Sequence, residues 1–376
     1  MEIKKDIKIC HLTSAHPPYD IRIFHKESVS LAEYGYNVSL ICAGAENEIK
    51  NGVHILGVKK NNSRFGRMFI TVWRVYKKAL ELDAELYHFH DPELMLVALL
   101  LKQKGKKVIY DVHEDVPKQI LNKHWISKPM RLFISAIYKK SENFCAARFS
   151  AVVTATPSIK IRFTDFKIPA YTVNNFPFLN ELKTEKKISS KDNSTIKYVC
   201  YLGGISEVRG LTYLIKAMAL LDNCKLIMAG KCSPENYLSE LQNTEGWHNI
   251  IYKGLVQRGE LSEILAQSEA GIVTFLPIPN HIDAQPNKMF EYMSSGIPVI
   301  SSDFPLWKEI ILGNNCGMCV EPTNPKAIAE AIQYIIDNTE RAKEMGNNGL
   351  KSVTEKYNWE REKVKLFDLY NQIFNS

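Results

Sequence analysis

The 376-residue chain holds no run of about eighteen apolar residues, so no membrane-spanning helix is expected. Its start, MEIKKDIKICHLTS, lacks the apolar core and small-residue cleavage site of a secretory leader, and a cytoplasmic location is expected. There is no G-x-G-x-x-G and no P-loop, which leaves a dinucleotide or ATP site without support. No Asp-x-Asp is present to hold a divalent ion on a nucleotide diphosphate. Cysteine is used sparingly. The eight thiols include one C-x-x-C, Cys316 and Cys319, but CGMCVEP reads as a strand. No second pair or nearby histidine completes a zinc set, so these are read as structural cysteines, like Cys10, Cys42, Cys200 and Cys224 in their apolar runs.

What is present is ordinary for globular protein: 45% hydrophobic and 24% charged residues, in a chain long enough for two domains. Short β-rich runs alternate with helix-length amphipathic runs. Strands are expected at 7–13, 37–43, 53–58, 85–90, 107–113, 151–156 and 171–176, with helices from Arg22 to Tyr34 and Leu94 to Lys102. Near-continuous apolar strands joined by helices predict a parallel sheet covered on both faces. The polar stretch 181–197, rich in Lys and Ser, breaks the alternation and reads as a linker. Strands then recur at 197–203, 225–230, 249–254, 271–277, 298–302 and 317–322. Helices are expected near 210–221, 234–246, 259–268, 287–295, 305–312, 325–338 and 340–357.

The expected fold is therefore α/β, with two doubly wound Rossmann-like domains facing across a cleft. The first domain covers 1–178, and the amphipathic segment 359–376 packs back on it. A second domain over 195–358 binds the ligand. Charge is uneven. Residues 1–178 carry 27 basic and 17 acidic residues, 27 − 17 = +10; the remainder carries 21 and 24, 21 − 24 = −3. A basic first half suggests an anionic partner there. The segments 64–80 and 123–140 mix Arg and Lys with Phe, Met and Trp. They suit either the surface of an anionic membrane or a core-facing helix with a solvated basic side. No nucleic-acid module accompanies the charge.

Three loops after predicted strands carry candidate chemistry. Gly203 and Gly204 allow close backbone approach, and Arg209 follows at a helix start, a pairing suited to a diphosphate. Pro286, Asn287 and Lys288 open a second helix whose amides present the positive end of its dipole. Glu291 lies one turn on, placed to accept from a ribose diol, and Asp283 precedes it in the loop. In the first half, His90 is followed by Asp91-Pro92, and His113 by Glu114 and Asp115. These residue types also ligate metals, but they lie on different strands without the spacing of a zinc helix motif. Polar contact with a sugar and its phosphate is the favoured reading, and no metal site is expected.

The segment QPNKMFEYMSSGIPVISSD resembles the donor-site helix of the family-4 glycosyltransferases. HPPYDIRIFHKESVSLAEYGYNV, FHDPEL, VIYDVHED and YLGGISEVRGL resemble segments of bacterial members. The resemblance covers nearly the whole chain. It implies the GT-B fold and transfer of a sugar from a nucleotide diphosphate sugar with retention of configuration, without cofactor or metal. The acceptor would be a glycan or lipid-linked glycan of surface polysaccharide assembly, at the inner face of the cell membrane. The family usually has two glutamates separated by seven residues. Glu291 matches the second, as ribose ligand; Asp283 stands at the first, toward the sugar. The family usually has arginine where this chain has Gly204, and Arg209 stands for its lysine; Lys288 is the candidate to replace the missing cation. Ser14-Ala15-His16-Pro17 occupies the place of a glycine-rich loop, and Ser14, His16 and His90 are assigned to the acceptor side. His113 matches the histidine that approaches sugar and phosphate. With Asp283 and Arg209 it forms the expected catalytic set. A sugar-nucleotide epimerase or hydrolase, and a non-catalytic nucleotide-sugar binder, remain as alternatives.

Overall fold

A computed structural model describes residues 7–123, 125–179 and 196–375. The linker expected over 181–197 falls almost wholly outside these. The chain divides into two compact units, Met1–Asn175 with Trp359–Ser376, and Phe176–Asn358.

In the first unit the strands are β1 (Lys8–Thr13), β2 (Asn37–Ala43), β3 (Glu48–Lys50), β4 (Val53–Val58), β5 (Leu86–Phe89), β6 (Lys107–Val112), β7 (Ala151–Thr154) and β8 (Ala170–Thr172). They form one sheet in the order β3-β4-β2-β1-β5-β6-β7-β8, parallel except for β3. The central strands β1, β2, β5 and β6 are buried along nearly their whole length, as a sheet covered on both faces requires. The edge strand β3 was not expected, because its three exposed residues carry no apolar pattern.

The first helix is wound in an unexpected way. Ile21–Ser28 is a π-helix that runs into the α-helix Val29–Glu33, and the Asp20 carboxylate caps it by accepting from the amides of Arg22 and Ile23. The wider turn brings residues five apart onto one face, so Arg22 and Glu27 both point inward and are buried.

The helix Trp359–Asn375 belongs to this unit. Trp359 Nε1 donates to Ser30 Oγ at 2.9 Å, Phe367 stacks on Tyr34 at 4.1 Å, and Glu362 accepts from the Asn174 amide at 2.8 Å.

The second unit has β9 (Lys197–Leu202), β10 (Cys224–Ala229), β11 (Ile250–Gly254), β12 (Gly271–Val273), β13 (Val299–Ser302) and β14 (Gly317–Val320). The sheet is parallel, in the order β11-β10-β9-β12-β13-β14. Phe176 packs here against Phe290 and Tyr357, so the first unit ends at Asn175, three residues before the expected end at 178. Cys319 lies on β14, with its thiol 3.4 Å from Ser301 Oγ, and Cys316 is buried just before it. Among the described residues no helix is long and apolar enough to cross a membrane.

Strand order reverses beside β1 in one sheet and beside β9 in the other. The crevices beyond β1/β5 and β9/β12 are the places where open α/β sheets receive ligands.

Candidate functional site

Beyond β9 and β12 the second unit gathers two cations. β9 ends at Leu202, and Gly203 then takes φ +134°; a side chain there would meet Lys288 Nζ. The loop continues through a short turn, Glu207–Arg209, and Gly210 in the left-handed region precedes the helix Leu211–Met218. Leu276 donates its amide to Val208, tying this loop to the one after β12. The result stacks the Arg209 guanidinium on the Phe275 ring at 4.1 Å. Lys288 Nζ lies 5.3 Å from the same ring and 4.9 Å from that of Tyr201.

Among the described residues neither cation has a carboxylate within ion-pair distance. Burial, and next Arg209, lower the Lys288 ammonium to about 7, with Glu291 opposing. His281, against Phe275 at 4.9 Å, is lowered to about 4 by burial and then by Arg209. Two cations held over aromatic rings, with a neutral imidazole beside them, form a pocket of positive charge suited to an anion.

Lys288 is the second residue of the helix Asn287–Ser294, and Pro286 caps it with extended backbone. The amides of Asn287 and Lys288 have no preceding turn to serve as acceptors. Asn287 is exposed, and Glu291 and Asp283 are half-buried. Trp307 Nε1 holds the preceding loop by donating to Ala284 O at 2.7 Å. Gly204 is exposed, with open space where a side chain would project. The structure thus brings Gly203, Arg209 and Lys288 together, with Glu291 close enough to act on Lys288. Phe275, Tyr201 and His281 complete the pocket. Sequence reasoning missed these three because an aromatic at a strand end and a loop histidine look like core.

In the first unit, Asp91 organises the loop after β1. It accepts from Thr13 Oγ at 2.8 Å, from the amides of Ser14 at 2.6 Å and Ala15 at 3.2 Å, and pairs with His16 Nδ1 at 2.9 Å. Burial pushes this carboxyl up, but His16 and these donors hold it below the usual range. Asp111 takes two 2.8 Å hydrogen bonds from Arg22 and meets His90 and His113 at 3.2 and 3.0 Å.

Of the residues assigned to the acceptor side, two lie inside the unit. Ser14 and His90 are buried, the first bonded to Glu93 and Asp91, the second to His11 and Asp111. The carboxylates that organise this end of the sheet draw both inward. His16 and His113 keep part of their surface. Arg22 and Asp111 were missed as site residues, since only the π-turn and the strand register bring them together.

The segments 64–80 and 123–140 form helices, Val72–Leu82 and Lys128–Ala146 being the longest. Val72, Val75, Tyr76 and Ala79 face the core, yet Phe65, Phe69 and Trp73 stay exposed, as do Trp125 and Phe133.

Residues 24–176 match the model of Glycosyltransferase Family 4, and residues 183–352 that of Glycosyl transferases group 1. An uncharacterized glycosyltransferase of Methanocaldococcus jannaschii, MJ1607, is 27% identical over 53% of this chain and 52% of its own length. The capsular polysaccharide biosynthesis glycosyltransferase CapM of Staphylococcus aureus is 25% identical over 65% of this chain and 66% of its own. The chain thus spans about half to two thirds of the length of these relatives. Among solved structures, sucrose-phosphate synthase of Thermosynechococcus elongatus superposes with TM-score 0.80 at 16% identity, over 98% of this chain and 99% of that one. HepE of Anabaena, in complex with UDP-glucose, gives 0.74 at 16%, over 97% and 100%. Both likenesses are to the GT-B fold.

Proposed function

From the family-4 glycosyltransferases, to which this chain belongs, we infer that it moves a sugar from a nucleotide diphosphate sugar to a glycan or lipid-linked acceptor, with retention of configuration. The reading rests on one observation. Arg209 and Lys288 stand together beside Gly203, with no carboxylate among the described residues paired to either, at the open end of the helix Asn287–Ser294.

The diphosphate is the anion those charges await, held also by the amides of Asn287 and Lys288. Glu291 receives the ribose hydroxyls and Asp283 the sugar. His113 is assigned to the transfer by its match to the family's histidine. In the reaction the bond from the anomeric carbon to the diphosphate oxygen breaks and a bond to the acceptor oxygen forms. The acceptor proton passes to the departing diphosphate. Negative charge grows on that diphosphate, and fixed cations stabilise it most in the transition state. This step draws on no cofactor and on no metal at the diphosphate.

HepE in complex with UDP-glucose makes a UDP sugar the first donor to try. CapM points to surface polysaccharide assembly. The exposed Phe65, Phe69, Trp73, Trp125 and Phe133, in a basic half, suit a peripheral station on the inner face of an anionic membrane, where a lipid-linked acceptor lies.

The test is a panel of radiolabelled nucleotide sugars with and without membrane extract. Label transferred only when extract is present supports the reading. Donor consumed equally without acceptor would mean an epimerase or hydrolase, and donor bound but never cleaved a non-catalytic binder.

A further inference from the structure

Three side chains from two neighbouring strands and the loop that follows meet beyond the carboxyl ends of β5 and β6. The parallel register sets Phe89 opposite Tyr110. His90 and Asp111 therefore stand side by side one step on, and His113 turns back toward them. His90 Nδ1 is 3.2 Å from Asp111 Oδ2, His113 Nε2 is 3.0 Å from the same oxygen, and the two nitrogens are 3.2 Å apart. A single ion held by bonds of about 2.0–2.1 Å at tetrahedral angles would space its ligand atoms about 3.3 Å apart.

Hydrogen bonds alone account for this triangle poorly. Asp111 Oδ2 also accepts from Arg22 Nε at 2.8 Å, so either three N–H groups crowd one oxygen that offers two lone pairs, or a ring nitrogen turns its own lone pair on that oxygen. With an ion in place, one lone pair serves Arg22 and the other the ion.

We propose that His90, Asp111 and His113 bind a divalent first-row transition ion, with its remaining coordination positions open on the side of His113. The side chains of His90 and Asp111 are fully buried, whereas that of His113 is 20% exposed, so access lies there. Two imidazoles and one carboxylate suit Zn2+, Co2+, Fe2+ or Mn2+ better than Mg2+ or Ca2+, which favour oxygen. The outer partners fit as well. His90 places its other nitrogen 2.9 Å from His11 Nδ1, and Arg22 holds the second Asp111 oxygen at 2.8 Å.

A deeper group, His11, Glu27, His88 and His90, also clusters. Its spacing is looser, with Glu27 Oε2 at 4.0 and 3.9 Å from the His11 and His88 nitrogens, and His88 Nδ1 is engaged by the Tyr370 hydroxyl at 2.9 Å. The tighter triangle is the ion site. Its open positions would take an oxygen ligand, which is a sugar hydroxyl if the transfer reading holds. Occupancy itself does not rest on that reading and is measured without turnover.

The full-length protein, stripped with chelator, is titrated with Zn2+ and with Co2+. Bound metal is counted by mass spectrometry, and the Co2+ visible spectrum reports the ligands. The expected result is one ion per chain, bound at least roughly tenfold more weakly in His113→Ala. His113→Cys should restore binding and add a thiolate charge-transfer band to the Co2+ spectrum, which no merely structural role would produce. The exposed His54→Ala should bind as the parent does. Failure of the parent to take up either ion at micromolar concentration would overturn the site. So would binding that His113→Ala leaves unchanged, or binding lost in Glu27→Gln but kept in His113→Ala.

Discussion

Arg22 donates two hydrogen bonds of 2.8 Å to Asp111, a partner 89 residues further along the chain, and a third of the same length to Val173 O. The pair is buried: burial pushes the Asp111 carboxyl up, but Arg22 and then His113 hold it well below the usual range. Arg22→Ala would strand that charge in the interior and should cost about 3–5 kcal/mol. Urea unfolding should show the loss as a lowered midpoint. Arg22→Lys should lose less, because an amine keeps the charge but not the fork.

Arg209→Ala and Glu291→Ala should each reduce transfer by roughly tenfold or more, the scale of one lost charged contact. Steady-state rates on a working donor would show it. Wild-type turnover in either variant would remove that residue from the mechanism.

Gly203 and Gly204 should respond in opposite ways. At Gly203 a β-carbon would stand 2.3 Å from Lys288 Nζ on a backbone at φ +134°, so Gly203→Ala should displace the ammonium and weaken donor binding. Gly204→Arg meets open space and supplies the cation that the family usually carries. It should fold normally and bind nucleoside diphosphate at least as tightly as the parent, by calorimetry.

Donor affinity should fall as pH rises through about 7. Burial and Arg209 lower Lys288 to that value in the free protein. Below it the ammonium is charged and attracts the diphosphate; above it the amine is neutral and one attraction is gone. Lys288→Arg should flatten the profile, because a guanidinium does not titrate in this range. An unchanged slope in that variant would place the titrating group elsewhere.

Removing 359–376 should unfold the first unit. Trp359, Leu366, Leu369 and Tyr370 are buried against it, and Glu362 satisfies the Asn174 amide. Loss of near-ultraviolet dichroism and aggregation are the expected readouts. A truncated chain that stays folded and active would show the helix to be dispensable.

Local pattern alone determined a good deal. Apolar runs of strand length alternating with amphipathic stretches marked thirteen of the strands, because a buried parallel strand must be apolar along its length. Pro286 before a helix, with Lys288 and Glu291 one turn apart, was also legible, since helical geometry follows from spacing along the chain. The exposed β3 and the π-winding of Ile21–Ser28 were not, because neither leaves an apolar period. Tertiary structure decided the rest. Arg209 and Lys288 meet over Phe275 through loop closure, and His90, Asp111 and His113 converge through the register of β5 on β6. Spacing along one strand says nothing about which atoms a neighbouring strand will set beside it, and the chemistry of both units depends on such neighbours.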